Sequence, residues 1–209
     1  MNDKYAESTA KIKSISKIQF SIMDNEETIN SSVIKIESPD LYEKNYPKQG
    51  GLCDLRMGTI DKQFKCQTCK CDVINCPGHF GHMELIMPVY NINFFKTVFK
   101  ILQCVCIRCS KILINSDKTK LGYIYDQIKK NIECPSCSYV QPKWTLNTIS
   151  THSISYEVDN TIEVINTQEV YNIFRKISDD DVRRLGLNQL YSHPKNMIIK
   201  NLPVIPPIV

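Results

Sequence analysis

CQTCKCDVINCPGHFGH, residues 66–82, sets four cysteines and two histidines into seventeen positions. Thiolates and imidazoles are the usual ligands of tetrahedral zinc, and a Cys-x2-Cys turn lets two sulfurs leave one loop toward a common point. Cys66 and Cys69 form such a pair, and Cys76 and His79 repeat its spacing six residues later. Pro77 and Gly78 lie between the latter two and give a ligand-presenting turn one fixed and one permissive φ. Four ligands, Cys66, Cys69, Cys76 and His79, therefore complete a first site over residues 66–79. Cys71 follows Cys69 too closely for both to reach one ion beside Cys66, and reads as a bystander thiol. His82 stands at the same three-residue step from His79, as a substitute ligand, a hydrogen-bond partner of a ligand, or neither.

A second set lies downstream. Cys106 and Cys109 pair in CIRC, Cys134 and Cys137 pair in CPSC, and twenty-four residues separate the pairs, slightly more than the usual paired-cysteine zinc pattern. This second site spans 106–137. Buried free cysteine is the plain alternative for any of these residues, and it is the preferred account of the two left over, Cys53 and Cys104.

Composition bounds the rest. The chain has 209 residues, 42% of them hydrophobic, enough for one sizeable core or two small ones. Ten cysteines could build a disulfide framework, but the repeated Cys-x2-Cys/His spacing favours metal. The opening MNDKYAESTAKIKS has no apolar run of the secretory kind, so a reducing intracellular setting is expected. No run approaches the roughly 18 apolar residues of a membrane span. The net charge of +4 is compatible with nucleic acid.

Outward from the first site, residues 1–15 are expected to be a flexible N-terminus, and Ile18, Phe20 and Ile22 alternate like a strand. A short acidic turn or helix over Asp24 to Asn30 and a strand over Val33 to Ile36 follow, then an irregular approach through Pro39, Pro47 and Gly50. Arg56, Lys62, Lys65 and Lys70 flank the first metal loop, where a rigid scaffold could hold them toward phosphates. Leu85, Met87 and Val89 alternate as a strand. Phe94, Phe95, Val98, Phe99 and Leu102 repeat at helical spacing and should dock the second site onto the first. Ile112 to Ile114 reads as strand, Leu121 to Ile132 as helix, and residues 139–166 as strands. A helix pair over 167–187 opens with Thr167 as cap, restarts at Ser178 and stops at Gly186. Asp179, Asp180 and Asp181 belong to that second helix's first turn, where the dipole favours acids, rather than to a magnesium site. The proline-rich exit, 197–209, should be extended, and the chain reads as cut there.

DLRMGTIDKQFKCQTC, CPGHFGH, CVCIRC, VYNIFRKISDDDVRRLGL and LPVIPPIV, in this order, resemble the N-terminal part of the largest subunit of eukaryotic-type multisubunit DNA-directed RNA polymerase. The resemblance implies that residues 16–209 are the clamp, the mobile pincer over DNA and the RNA–DNA hybrid. It implies an α+β fold, an irregular zinc-stabilised core with short strands, a helix pair and two structural Zn2+ sites. It also implies partners in the second-largest subunit, the remainder of the largest subunit and nucleic acid, with no membrane, in the nucleus or in a viral factory or virion. The family's Asn-Ala-Asp-Phe-Asp-Gly-Asp motif is not in this sequence. Mg2+ and nucleotidyl transfer would accordingly belong to the complete polymerase, and no catalytic residue is expected in this segment.

Two other readings fit paired cysteines. A cross-braced ubiquitin-ligase module would interleave its ligand pairs and leave a longer loop than the six residues between Cys69 and Cys76. A free-standing zinc protein that binds nucleic acid or a transcription factor would share the sites without the polymerase.

Overall fold

The computed structural model describes residues 14–114, 121–128, 133–148, 152–158 and 160–207. Residues 1–13, most of the expected flexible N-terminus, lie outside that description, as do 129–132 at the end of the expected helix and 208–209 at the end of the exit.

A two-stranded ribbon joins the middle of the chain to its last segment. Strand β3 (Gly81–Tyr90) runs antiparallel to β7 (Ile198–Val204), from Gly81 opposite Val204 to Tyr90 opposite Ile198, with an irregularity between Glu84 and Val89. The proline-rich exit is thus extended, as its sequence requires, and is also a paired strand. Its pairing fits proline because Pro203 sits at an outer position of a two-stranded ribbon. The segment 33–36 covers the other side of β3. The Val33 N–H donates to the Phe80 carbonyl at 2.8 Å, His82 N–H to Ile34 at 2.9 Å and Ile36 N–H to His82 at 2.8 Å.

Helix α1 (Asn25–Ser31) starts at a reciprocal cap: Asp24 accepts from the Glu27 N–H at 2.7 Å, and Glu27 accepts from the Asp24 N–H at 3.1 Å. The Asn25 side chain then accepts from Lys200 and Asn201 N–H at 2.9 and 3.1 Å, fastening α1 to β7. The strand expected at Ile18–Ile22 does not form. Those residues have no ladder partner, Ile18 and Phe20 stand exposed, and the ties fall on Ile22, whose N–H donates to the Tyr191 carbonyl and whose carbonyl accepts from the Asn196 amide. Alternation alone cannot make a strand without a neighbour to bond. A short hairpin, β1 (Tyr42–Glu43) and β2 (Tyr46–Pro47), leads toward the first site.

Helix α2 (Phe95–Cys104) follows the expected spacing and buries Phe95, Val98, Ile101, Leu102 and Cys104. Helix α3 (Leu121–Ile128) packs on it. Strands β4 (Lys143–Asn147), β5 (Ser153–Val158) and β6 (Thr161–Val164) form an antiparallel meander, so the strand-prone stretch begins at Lys143 rather than Tyr139. Of Ile112 to Ile114, only Ile112 pairs, in an isolated bridge with Val105.

The helix pair is α4 (Thr167–Arg175) and α5 (Asp179–Arg184). Asn166, not Thr167, caps α4, accepting from the Gln168 N–H at 3.0 Å; Asn is the better cap, and Thr167 becomes the first helical residue. Ser178 caps α5 by accepting from Asp181 at 3.2 Å, and Gly186, at φ 76°, ends it in the left-handed region. Asp180 pairs with Arg183 one turn on, consistent with the first-turn reading of the three aspartates.

Two separate cores result. A large one gathers α2, α3, α4, α5 and the residues around Cys106 and Cys134, with Phe174, Val98 and Val170 fully enclosed. A small one holds Ile34, Ile36 and Met57, with Val33, Met83 and Val204 packed against them, beside the first site. Helix α2 belongs wholly to the large core, so it does not dock one site on the other. The continuous ribbon β3–β7 makes that link, because β3 begins two residues after His79 and ends five residues before α2.

Candidate metal centres

Three Cys-x2-Cys turns share one backbone design. In each, the first cysteine's carbonyl accepts from the N–H four residues on, at 2.9 Å: Lys70 to Cys66, Ser110 to Cys106 and Ser138 to Cys134. Its own N–H reaches forward to Cys71, Lys111 and Tyr139 at 2.9, 2.9 and 3.0 Å. Lys70, Ser110 and Ser138 consequently sit at φ 63°, 59° and 51°, left-handed positions costing roughly 1 kcal/mol each in a non-glycine residue. The fourth half-site differs. Asp72 accepts from the N–H groups of Ile74 and Asn75 and from the Asn75 amide, and Gly78 turns at φ 80° to bring His79 back.

These turns converge in two clusters. The ligand atoms of Cys66, Cys69, Cys76 and His79 all lie within 4.8 Å of one another, as do those of Cys106, Cys109, Cys134 and Cys137. Consecutive pairs meet, with no interleaving, which excludes a cross-braced arrangement. Cys69 and Cys76 place their Sγ atoms 3.6 Å apart, Cys106 and Cys137 3.6 Å, and Cys109 and Cys134 3.7 Å. A disulfide would need about 2.05 Å, and all ten cysteines are free. Sulfurs at 2.3 Å from one tetrahedral ion would stand about 3.8 Å apart. The Nε2 of His79 is buried without a hydrogen-bond partner, an expense that a metal bond would remove. The donor set therefore fits a metal ion, and either cluster could hold one.

Electrostatics agree. The His79 side chain pulls the Cys69 thiol down to about 6, while burial pushes Cys76 up to about 11. In the second cluster burial pushes Cys109 up to about 12. Burial also opposes ionisation of Cys106, but N–H donors from Cys109 and Arg108 and the Gln141 amide outweigh it and hold that thiol at about 7. Groups packed this tightly cannot all shed their protons unless a cation shares their charge.

The supporting shell was only partly visible in sequence. Gln141 donates to the Cys106 sulfur at 3.3 Å and to the Tyr139 carbonyl at 2.8 Å, and accepts from Ile107 N–H at 3.2 Å. No spacing rule flags it. Cys71 lies outside the first cluster, its Sγ 3.5 Å from the Cys69 carbonyl, and its backbone rather than its thiol serves the turn. His82 is also outside, buried on β3 with its Nδ1 against the Ser32 hydroxyl. Cys104 is an enclosed core thiol, which burial pushes up to about 12; Cys53 is half-buried.

Of the flanking cations, Lys62, Lys65 and Lys70 are exposed, whereas Arg56 is committed. Its Nε and NH2 grip the two oxygens of Asp54 at 2.9 and 2.8 Å, and that carboxylate, 1% exposed, also accepts from the N–H groups of Gly50 and Arg56 at 2.7 and 2.9 Å. This brace sets the segment 55–57, whose carbonyls receive the metal loop: Gln67 N–H to Leu55, Thr68 hydroxyl to Arg56 at 2.7 Å, and His79 N–H to Met57. Burial alone would raise the Asp54 carboxyl, but the Arg56 and backbone donors prevail and hold it below its ordinary value. A carboxyl depressed on folding stabilises above its unfolded pKa of about 3.9 and loses that contribution as pH falls through the folded value. Asp54→Asn should therefore cost about 1–3 kcal/mol in urea unfolding, with a penalty constant between about pH 8 and pH 5.5. A penalty that fades within that window would mean Asp54 is not ionised there.

The family model described as RNA polymerase Rpb1, domain 1 matches residues 12–209. The chain is 34% identical over 235 aligned positions to the DNA-directed RNA polymerase II subunit RPB1 of Euplotoides octocarinatus, covering 98% of this chain and 49% of that protein. It is 34% identical over 215 positions to the DNA-directed RNA polymerase subunit Rpo1N of Methanocaldococcus jannaschii, covering 93% of this chain and 16% of the relative. It thus spans half or less of the length of these relatives. With its two four-ligand clusters in an irregular mixed fold, the chain belongs to the RNA polymerase Rpb1, domain 1 family, the N-terminal region of the largest RNA polymerase subunit.

Proposed function

We propose that this chain is the clamp portion of the largest subunit of a DNA-directed RNA polymerase, helping to hold DNA and the RNA–DNA hybrid during transcription. The family match across residues 12–209 carries the reading. Zn2+ is the ion proposed for both clusters, held by Cys66, Cys69, Cys76 and His79 and by Cys106, Cys109, Cys134 and Cys137. Four protein ligands leave no position for an activated water, so each ion's contribution when bound is folding energy. The knuckles then move as rigid bodies with residues 16–209. Nucleotidyl transfer, with its Mg2+, belongs to the assembly that this chain forms with the remainder of the largest subunit and the second-largest subunit. Cysteines paired at metal-ligand spacing support a reducing, intracellular setting for that assembly, the nucleus or, for a virus, a cytoplasmic factory or virion.

Affinity capture from the native source, followed by mass spectrometry, tests the reading. A second large polymerase subunit should be recovered with the chain, and elemental analysis should return two zinc equivalents. Recovery of the chain alone, at its own mass and with its metals intact, would overturn the polymerase role in favour of a free-standing zinc protein.

A further inference from the structure

From Trp144 to Phe174 the sequence has no lysine or arginine, and it carries four acids, Glu157, Asp159, Glu163 and Glu169. This acidic stretch supplies nearly all of the β4–β5–β6 sheet and most of α4. The adjacent base Lys143 opens β4, two strands from β6, and reaches Glu157 only at 3.9 Å.

Strand β6 ends that sheet, and among the described residues no other strand lies along its outer side. The Ile165 N–H donates to the Ile154 carbonyl at 3.0 Å. By the alternation of an antiparallel ladder, the main-chain groups of Thr161 and Glu163 then face β5, and those of Ile162 and Val164 face the open side. The side chains alternate as well. Trp144, Ile154 and Tyr156 pack inward on the larger core, whereas Ile162 and Val164, opposite Glu157 and Ser155, point outward and are 76% and 65% exposed. A sheet edge is ordinarily guarded by lysine, proline or a bulge. β6 has none of these and presents two β-branched apolar residues instead. Glu163, on the inward side, accepts from the Tyr156 hydroxyl at 2.8 Å and keeps further acceptor positions for a cation. Past Val164 the surface dips into a cavity of about 420 Å³, lined by Val164 and Ile165 together with Tyr90, Ile92 and Phe95.

We infer that the open edge of β6 is a docking site for an extended, basic segment of a partner protein, which adds to the sheet as a fourth strand. Its main chain bonds to Ile162 and Val164, and its side chains alternate between apolar residues opposite these two and lysine or arginine opposite Glu163. An apolar side chain at its end has the cavity as a seat. Charge selects this occupant. Nucleic acid would set phosphates against four acids, and a second copy would set one acidic sheet against another. The inference goes beyond the polymerase reading and does not rest on it, so the capture experiment and this one fail separately.

The test uses the full, metal-loaded chain and fluorescence anisotropy with a dye-labelled, capped peptide, Thr-Val-Lys-Val-Lys-Thr. Saturable binding is expected, and a peptide with glutamate in place of both lysines should bind at least tenfold more weakly. Ile162→Thr with Val164→Thr keeps residues that favour strands but removes the outward apolar pair, and should weaken binding roughly fivefold. Glu163→Gln should weaken it about threefold and flatten its salt dependence. Ile86→Thr alters an equally exposed apolar residue on β3 and should change nothing. Two further peptides carry N-methyl groups on both valines or on both lysines. An antiparallel strand bonds to Ile162 and Val164 through its valines and a parallel one through its lysines, so one set should abolish binding and the other keep it. Loss from both sets or from neither overturns strand addition. Equal binding of the glutamate peptide overturns the basic partner, and equal weakening by Ile86→Thr and the β6 pair overturns the site. No binding at millimolar peptide overturns the inference altogether. The peptide arms use the unaltered chain, so they decide the matter even where a β6 variant fails to fold.

Discussion

Replacing Cys66 with serine should take the protein from two bound metal ions to one and open the region around residues 50–80 to proteolysis and amide exchange. Cys66 is fully enclosed, and its carbonyl and N–H anchor the turn that presents the first pair of ligands. Serine keeps the shape but not the thiolate, and three remaining ligands no longer close the tetrahedron. Little else holds this end of the molecule. The small core buries Ile34, Ile36 and Met57, with Val33, Met83 and Val204 partly buried against them, at about 1.5–3 kcal/mol for each fully buried side chain, whereas structural zinc in a small domain supplies roughly 10–16 kcal/mol. The Asp54 brace cannot compensate, because it positions the loop without enclosing apolar surface. Two controls sharpen the result. Cys71→Ser should keep both metals, since its thiol lies outside the cluster. The double replacement of Cys66 and Cys71 should behave like the single one, which excludes Cys71 as a stand-in ligand. Elemental analysis is the readout, and two equivalents retained by Cys66→Ser would refute the four-ligand set.

The clusters were legible because ligand chemistry is local. Cys66 to His79 closes within fourteen residues, and three of the four half-sites are one hydrogen-bonded turn repeated. α2 was legible for a similar reason, since its apolar residues fall at helical spacing and that face found a core. Ribbon β3–β7 was not, because its strands lie more than a hundred residues apart and sequence periodicity names no partner. The same gap explains Ile18 to Ile22, whose alternation matched a strand for which the fold supplies no neighbour. At α4 the ambiguity was between two adjacent residues, each able to cap, and the backbone chose Asn166. Arg56 shows a different limit. In sequence it counts as a cation beside a metal loop; in the fold, the carboxylate two residues earlier has already claimed it. Free charge is therefore a property of the folded surface and not of the count of basic residues in a stretch of sequence.

The separation of the two cores makes the second large effect asymmetric. Phe174→Ala should cost about 3–5 kcal/mol, because the ring is fully buried at the centre of the larger core, beside Val170 and Ile173 on α4. Cys106 and Cys134 line that same core, so the cavity should also loosen the second cluster and speed loss of its ion to a chromogenic chelator. The first cluster is braced instead by residues 54–57 and backed by Ile34, Ile36 and Met57, none of which belongs to the larger core. Its release rate should therefore stay at the wild-type value. Met57→Ala inverts the pattern: Met57 is fully buried, and its carbonyl holds the His79 N–H at 2.9 Å. Loss of the side chain should accelerate release from the first cluster and spare the second. Denaturant unfolding gives the stability change, and biphasic chelator kinetics assign each phase to a cluster. Equal acceleration of both phases by Phe174→Ala would mean that ribbon β3–β7 transmits strain between the cores, and that the two ends of the molecule are one cooperative unit.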